Sequence, residues 1–328
     1  MAFVCGACGA FFLNQGLRLA ILHCTISRFR KSEPFMIARP RRSVLYIPGS
    51  NPRALAKART LPADALILDL EDSVAPDQKA LARRQVAAAV GEGGFGARQV
   101  VIRVNGLQSP WGREDMAVAA AAGPNAILLP KVDGPGMIMH AARELREAGA
   151  PDPLRLWAMM ETPLAILNAG SIAAAAADPA ARLEALVMGL NDLAKETRAR
   201  LTPGRSAMTP WLAICVAAAR AHGVDIIDGV FNGIADLDGF KRECEQGRDM
   251  GLDGKTLIHP SQIEICNQVF APTKAEIDAA SAIIAAFDEP ANQGKGVIQI
   301  NGRMVERLHA DMARRTLSIA AGVAAMAP

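Results

Sequence analysis

The feature that most constrains this chain is a pattern repeated eight times from Ser43 onward: a short apolar run, a polar or Gly/Pro end, then an Ala-rich stretch with helical spacing. The runs are SVLYIPGS (43–50), ALILDLEDS (65–73), QVVIRVNG (99–106), NAILLPKVD (125–133), RLWAMMET (155–162), EALVMGLND (184–192), VDIIDGVFN (224–232) and GKTLIHP (254–260). Between most of them lie roughly 12 to 25 residues, the length that a crossover between parallel strands requires. Continuously apolar strands alternating with helices predict a parallel sheet covered on both faces. Eight such units favour closure into a (β/α)8 TIM barrel. An open doubly wound sheet would carry a glycine-rich phosphate turn after its first strand, and PGSNP does not match G-x-G-x-x-G.

A chain of 328 residues suits one such barrel with a terminal appendage. Hydrophobic residues make up 51% of it and aromatic residues only 4%, so the core must be built from Ala, Val, Leu, Ile and Met. The net charge of +3 gives no nucleic-acid footprint, and a charged substrate has to be held by local groups. No apolar run reaches the roughly 18 residues needed to cross a membrane. Cys5, Cys8 and Cys24 crowd the first 24 residues, where Cys5-x-x-Cys8 has no second Cys or His pair at zinc-finger distance, and Cys215, Cys244 and Cys266 are scattered, as reduced thiols in a cytoplasmic enzyme would be.

Three segments follow. Residues 1–35 lack any acid before Glu33 and carry Arg18, Arg28, Arg30 and Lys31; they read as translation from a start upstream of Met36, or as a mitochondrial-type targeting segment. In either case loose packing is expected there. Residues 36–270 form the barrel. Residues 271–328 hold helical stretches near 272–288 and 306–325 around a glycine-punctuated hairpin at 294–305, an appendage expected to act as a lid and in oligomerisation.

Active sites of such barrels lie at the C-terminal ends of the strands. Charged groups gather there: Asp69, Glu71 and Asp72 after strand two, Arg103 and Asn105 after strand three, and Lys131 and Asp133 after strand four. Glu161 and Thr162 end strand five, and Asn191 and Asp192 end strand six. Charge beside a buried barrel interior is costly unless it is paired or bound to a metal.

These motifs, LDLEDSV, IRVNG, LLPKV, METPLAILNA, GLNDLA and GKTLIHPSQI, resemble the HpcH/HpaI aldolase–citrate lyase β family, most closely its citrate lyase β-like and malyl-CoA lyase branch. The likeness runs collinearly from about Arg42 to the C-terminus. It implies an Mg²⁺ ion held by Glu161 and Asp192, two hard carboxylates that leave the remaining positions to waters and a chelating substrate. It gives Arg103 the thioester side of the reacting centre, and gives Glu71 and Asp72 the tasks of holding metal waters and orienting Arg103. Asp69 is expected to be structural. Lys131 is a contact for the substrate carboxylate or CoA, or else solvated. Arg53, Lys57 and Arg59 are candidates for the CoA phosphates, against a default of a solvated helix face. His259 is expected to make a structural hydrogen bond, and Met159 and Met160 to be core.

One departure stands out. The branch carries a lid aspartate in a G-x-M-[IV]-D pattern that acts across a subunit interface, whereas this chain has Gly302-Arg303-Met304-Val305-Glu306. The glutamate reaches about 1.5 Å further (one C–C bond) and serves either as a general base or as a cap on the last helix. The implied reaction is Mg²⁺-dependent C–C cleavage of a malyl- or citramalyl-CoA thioester to an acyl-CoA and a 2-oxoacid such as glyoxylate. The alternatives are a thioesterase on the same substrate, or the β subunit of a larger complex acting on a carrier-bound thioester. The implied assembly is a homotrimer or hexamer.

Overall fold

The computed structural model describes residues 38–326. Eight parallel strands close into a barrel in sequence order: β1 (Ser43–Pro48), β2 (Ala65–Asp69), β3 (Gln99–Arg103), β4 (Ala126–Leu129), β5 (Arg155–Met160), β6 (Leu183–Met188), β7 (Asp225–Asp228) and β8 (Gly254–Leu257). β1 closes on β8 in parallel, which completes the (β/α)8 TIM barrel.

Because side chains alternate along a strand, every second residue enters the barrel. Val44 and Tyr46 of β1, Ala65 and Ile67 of β2, Val101 of β3, Leu128 of β4, Trp157 and Met159 of β5, and Ala185 and Val187 of β6 pack together there. Trp157 is fully buried, with the small residues Ala65, Ala126 and Ala185 in the same cluster. One large ring among alanines fills a layer that branched residues would otherwise fill. The outward residues, such as Leu66, Leu68, Ile102 and Leu186, meet the surrounding helices in the main core.

The same alternation fixes what stands at the C-terminal mouth. Counting by two from the interior residues puts Asp69, Arg103, Glu161 and Gly189 on the inward face, one step above Ile67, Val101, Met159 and Val187. On β7 and β8 it turns Asp228 and Lys255 outward into the wall.

Beyond β8 the chain forms the helix Lys274–Asp288, a hairpin of β9 (Val297–Ile300) and β10 (Arg303–Glu306), and the helix Arg307–Ala325. Phe287, Ile298, Val305 and Ala310 give this lobe a small core of its own. The final helix returns to the N-terminal end of the barrel, where Arg315 pairs with Asp253 at 2.6 Å. A Cβ on Gly322 would lie 2.2 Å from the carbonyl oxygen of Ala38, so only glycine permits that close approach. Among the described residues, no helix is long and apolar enough to cross a membrane, and Cys215, Cys244 and Cys266 are buried free thiols. The expectations for residues 1–35, including Cys5, Cys8 and Cys24, lie outside the described residues.

Candidate active site

The mouth is organised around Arg103. Its Nε and Nη2 donate to the two oxygens of fully buried Asp69 at 2.6 and 2.7 Å, a two-pronged fork. Asp69 also accepts from the backbone N–H groups of Glu71 and Ser73. Burial acts to raise the Asp69 carboxyl, but Arg103 overcomes it and holds the group below the usual aspartate range. The third nitrogen, Nη1, lies 2.7 Å from Glu71 Oε2 and donates to Asp72 Oδ2 at 3.2 Å. The Glu71 contact is an ion pair off the N–H axis, which leaves Glu71 Oε2 buried and without a hydrogen bond. The guanidinium lies 4.9 Å over the ring of Tyr46, the chain's one tyrosine.

Opposite stands Glu161, 1% exposed. Its Oε1 accepts from the backbone N–H of Lys131 at 2.7 Å, while its Oε2 is buried with no partner. Burial, reinforced by the charge of Glu71, pushes its carboxyl up to about 8. A Cβ on Gly189 would sit 2.5 Å from Glu161 Oε2, so the glycine keeps open the space that this oxygen faces. Asp192, in the first turn of the helix Leu190–Thr197, lines the same cavity of about 310 Å³ as Glu161, Asp69, Asp72, Arg103 and Tyr46. Lys131 spans the two sides: its Nζ is 3.3 Å from Glu71 Oε1 and 3.9 Å from Asp192 Oδ1.

Among the described residues, no group of three or more His, Cys, Asp and Glu side chains is arranged to hold a metal. Glu161 and Asp192 line one cavity, and a hard divalent cation can take two carboxylates while waters and substrate complete its six positions. The unpartnered Glu161 oxygen, facing a cleared space in a cavity that Asp192 also lines, is the donor such an ion needs.

The other expected residues fall in different places. Arg53 and Lys57 are exposed on the helix Pro52–Ala58 that follows β1. Arg59 instead pairs with Glu92 and the carbonyl of Gly93. His259 bonds within its own turn through Ser261, as expected. Met159 is core, yet its sulfur also meets Arg103 at 3.8 Å and Tyr46 at 3.9 Å. Asp133 is bound by the hydroxyl of Thr162, which also caps the short helix Pro163–Leu167. Glu306 is exposed, its backbone N–H bonded to His309 Nδ1, and the mouth cavity of the same chain is lined by no residue of the C-terminal lobe.

A supporting layer was not anticipated from the sequence. Buried Lys79 donates to the carbonyls of Leu70 and Glu71 and to Asn105 Oδ1 at 2.7–2.9 Å. Asn105 in turn donates to Asp115, which Arg83 also holds at 2.6 Å. Lys79 and Arg83, one helical turn apart on a face shared with Ala82 and Val86, were the available signal.

A larger cavity of about 520 Å³ lies beside the mouth and shares Leu190 and Val230 with it. It contains none of the mouth acids. Behind it a second charge cluster fills the wall. Asp228 accepts from Arg205 at 2.6 and 2.8 Å, from Lys255 Nζ at 3.0 Å and from the Gly229 N–H at 2.8 Å. Lys255 also donates to Glu243 and to the Gly229 carbonyl.

Comparison with known proteins converges on one family. The model of the HpcH/HpaI aldolase/citrate lyase family matches residues 42–260. A (3S)-malyl-CoA thioesterase of Cereibacter sphaeroides (strain KD131) is 52% identical over 88% of this chain and 97% of its own length. The citrate lyase subunit beta of Leuconostoc mesenteroides subsp. cremoris is 35% identical over 86% of this chain and 94% of its own. The CitE protein of Mycobacterium tuberculosis, solved in complex with magnesium, acetoacetate and coenzyme A, superposes with a TM-score of 0.69 at 26% identity, covering 87% of this chain and 100% of that one.

Proposed function

This chain belongs to the HpcH/HpaI aldolase/citrate lyase family, and from that premise we propose that it is an Mg²⁺-dependent enzyme acting on a CoA thioester of the malyl type, with hydrolysis to the free hydroxyacid and CoA as its reaction. The observation that carries the metal-dependent reading is the buried, unpartnered oxygen of Glu161 in the cavity that Asp192 and Arg103 also line. The preference for hydrolysis over C–C cleavage rests on the 52% identity to a thioesterase, against 35% to a lyase subunit. The sequence motifs alone favoured cleavage, but the two reactions share those motifs.

Glu161 and Asp192 would hold the ion, which supplies Lewis-acid charge for chelating the hydroxyl and carboxylate of the malyl group. Arg103, fixed by Asp69 and backed by Tyr46, presents Nη1 to the thioester carbonyl oxygen as negative charge develops there. Arg53 and Lys57, exposed on the helix beyond β1, would be the groups to meet the CoA phosphates. In hydrolysis, the oxygen of water bonds to the thioester carbon, the C–S bond breaks and the sulfur leaves as CoA, taking up the proton that the water gives up. Glu306 of a second copy of the chain is the base for that proton. Met304, Leu308 and Met312, which are 71%, 52% and 64% exposed around it, support a lobe that docks on another subunit of a trimer or hexamer.

A second reading is retained because of the citrate lyase subunit beta relatives. The same groups would take the proton from the hydroxyl and break the bond between the carbinol and α carbons, releasing glyoxylate and an Arg103-stabilised enolate that is then protonated. Incubation of the enzyme with malyl-CoA and Mg²⁺, assayed for free thiol and for glyoxylate, separates them. Free CoA and malate without glyoxylate are expected. Glyoxylate with acetyl-CoA replaces hydrolysis by the second reading, and no turnover of either kind overturns both.

A further inference from the structure

We propose that the Lys131 ammonium is a built-in counter-cation, which holds the mouth acids together while no metal is bound and competes with the divalent ion for them. This rests on the reading that Glu161 and Asp192 are the metal-holding pair. Among the described residues, Lys131 is the one that both hydrogen-bonds Glu161 and pairs with Asp192: its backbone N–H bonds Glu161 Oε1 at 2.7 Å and its Nζ stands 3.9 Å from Asp192 Oδ1, while also reaching Glu71 Oε1 at 3.3 Å. Arg103 is committed to Asp69, Glu71 and Asp72, so among the described residues Lys131 is the one side-chain cation within ion-pair distance of Asp192.

The backbone says why the side chain matters. Lys131 has φ of 50°, the left-handed region that favours glycine and strains a residue with a Cβ. Glycine would offer the same N–H to Glu161 without that cost. What lysine adds is the ammonium. Its side chain is 43% exposed, anchored on the acids yet bordering solvent, so it has somewhere to swing when a doubly charged ion takes its place. The device offsets the charge of Glu71 and Asp192, the two carboxylates within ion-pair distance of its Nζ. It weakens metal affinity in exchange.

The test is direct metal binding, followed by loss of the free Mn²⁺ resonance signal and by Mg²⁺ calorimetry, on the full chain and on K131M, K131G and K131R. Both neutral variants are expected to bind about tenfold more tightly than the wild type, the scale of one removed charge a few ångströms from a divalent ion in a wet site, and K131R to bind as the wild type does. In EDTA, K131M should melt below the wild type, and Mg²⁺ should raise its melting temperature by more. Equal or weaker binding by the neutral variants overturns the counter-cation role while leaving the metal reading intact. A wild type that binds neither ion overturns both. If K131M does not fold in EDTA, K131G, which relaxes the backbone, decides against K131R by the same titration.

Discussion

The mouth cluster and the wall cluster behind β7 and β8 use the same kinds of residue but are closed to different degrees. In the wall, Asp228 receives four hydrogen bonds from Arg205, Lys255 and a backbone N–H, and both cations have further acceptors. At the mouth, Asp69 is similarly closed by Arg103, but Glu71 and Glu161 each keep a buried oxygen without a hydrogen bond. Titration divides them in the same way. Burial acts to raise the Asp228 carboxyl, and Lys255 with Arg205 overcomes it and holds the group low, whereas burial and Glu71 carry Glu161 up to about 8. A buried polar oxygen without a partner is costly, so the mouth carries a cost that the wall cluster does not.

Glu161 is where the two clusters differ most. E161Q keeps the shape and the acceptor for the Lys131 N–H but loses the charge. Turnover of the malyl thioester is expected to fall by about a thousandfold or more, since the metal's contribution is lost. The melting temperature in EDTA should stay level or rise, because a carboxyl that resists ionisation has been removed. Steady-state assay beside a thermal melt checks both. D228N is expected to do the reverse. It leaves Arg205 and Lys255 buried around a neutral amide and should cost about 3–5 kcal/mol in chemical denaturation, with turnover per folded molecule unchanged.

The smallest effect is the most diagnostic. In the metal-free protein the unfolded chain ionises Glu161 near its ordinary value of 4.5, while the folded chain keeps the proton up to about pH 8. Stability should therefore decline as pH rises across that window, and E161Q should abolish that part of the slope. Asp228 works in the opposite direction: its contribution is complete above the ordinary aspartate range and is lost only as pH falls through its lowered value in acid. Melting temperatures in EDTA between pH 5 and 8.5 isolate the first effect. A flat wild-type profile there, identical to E161Q, contradicts the assignment.

Much of this was legible in the sequence. All eight apolar runs became strands, though most ran past the strand ends because the polar residues that follow are the mouth itself. The C-terminal helices and hairpin also appeared where their spacing put them. Arg103, Glu71, Asp72, Lys131, Glu161 and Asp192 do meet at one end of the barrel. Asp69, expected to be structural, is buried on the inward face beside the Arg103 that it fixes. Lys79, Asp115 and Arg83 were overlooked because they come from helices, where a strand-end rule does not look. Glu306 was the reverse case, prominent in the sequence yet lining no part of its own chain's mouth cavity; it stands at the N-cap of the last helix, the second of the two roles expected of it.

The single tyrosine also gives the protein a reporter that it did not need to be engineered to carry. Its phenol lies beneath Arg103, and burial holds its hydroxyl protonated far into alkaline solution. Any tyrosine-selective signal, whether an ultraviolet difference band or the one ring resonance of a tyrosine-labelled sample, therefore comes from the floor of the mouth and from nowhere else in the chain. A ligand that draws the guanidinium upward changes that signal without touching the ring, so occupancy can be followed in a mixture where no product is formed.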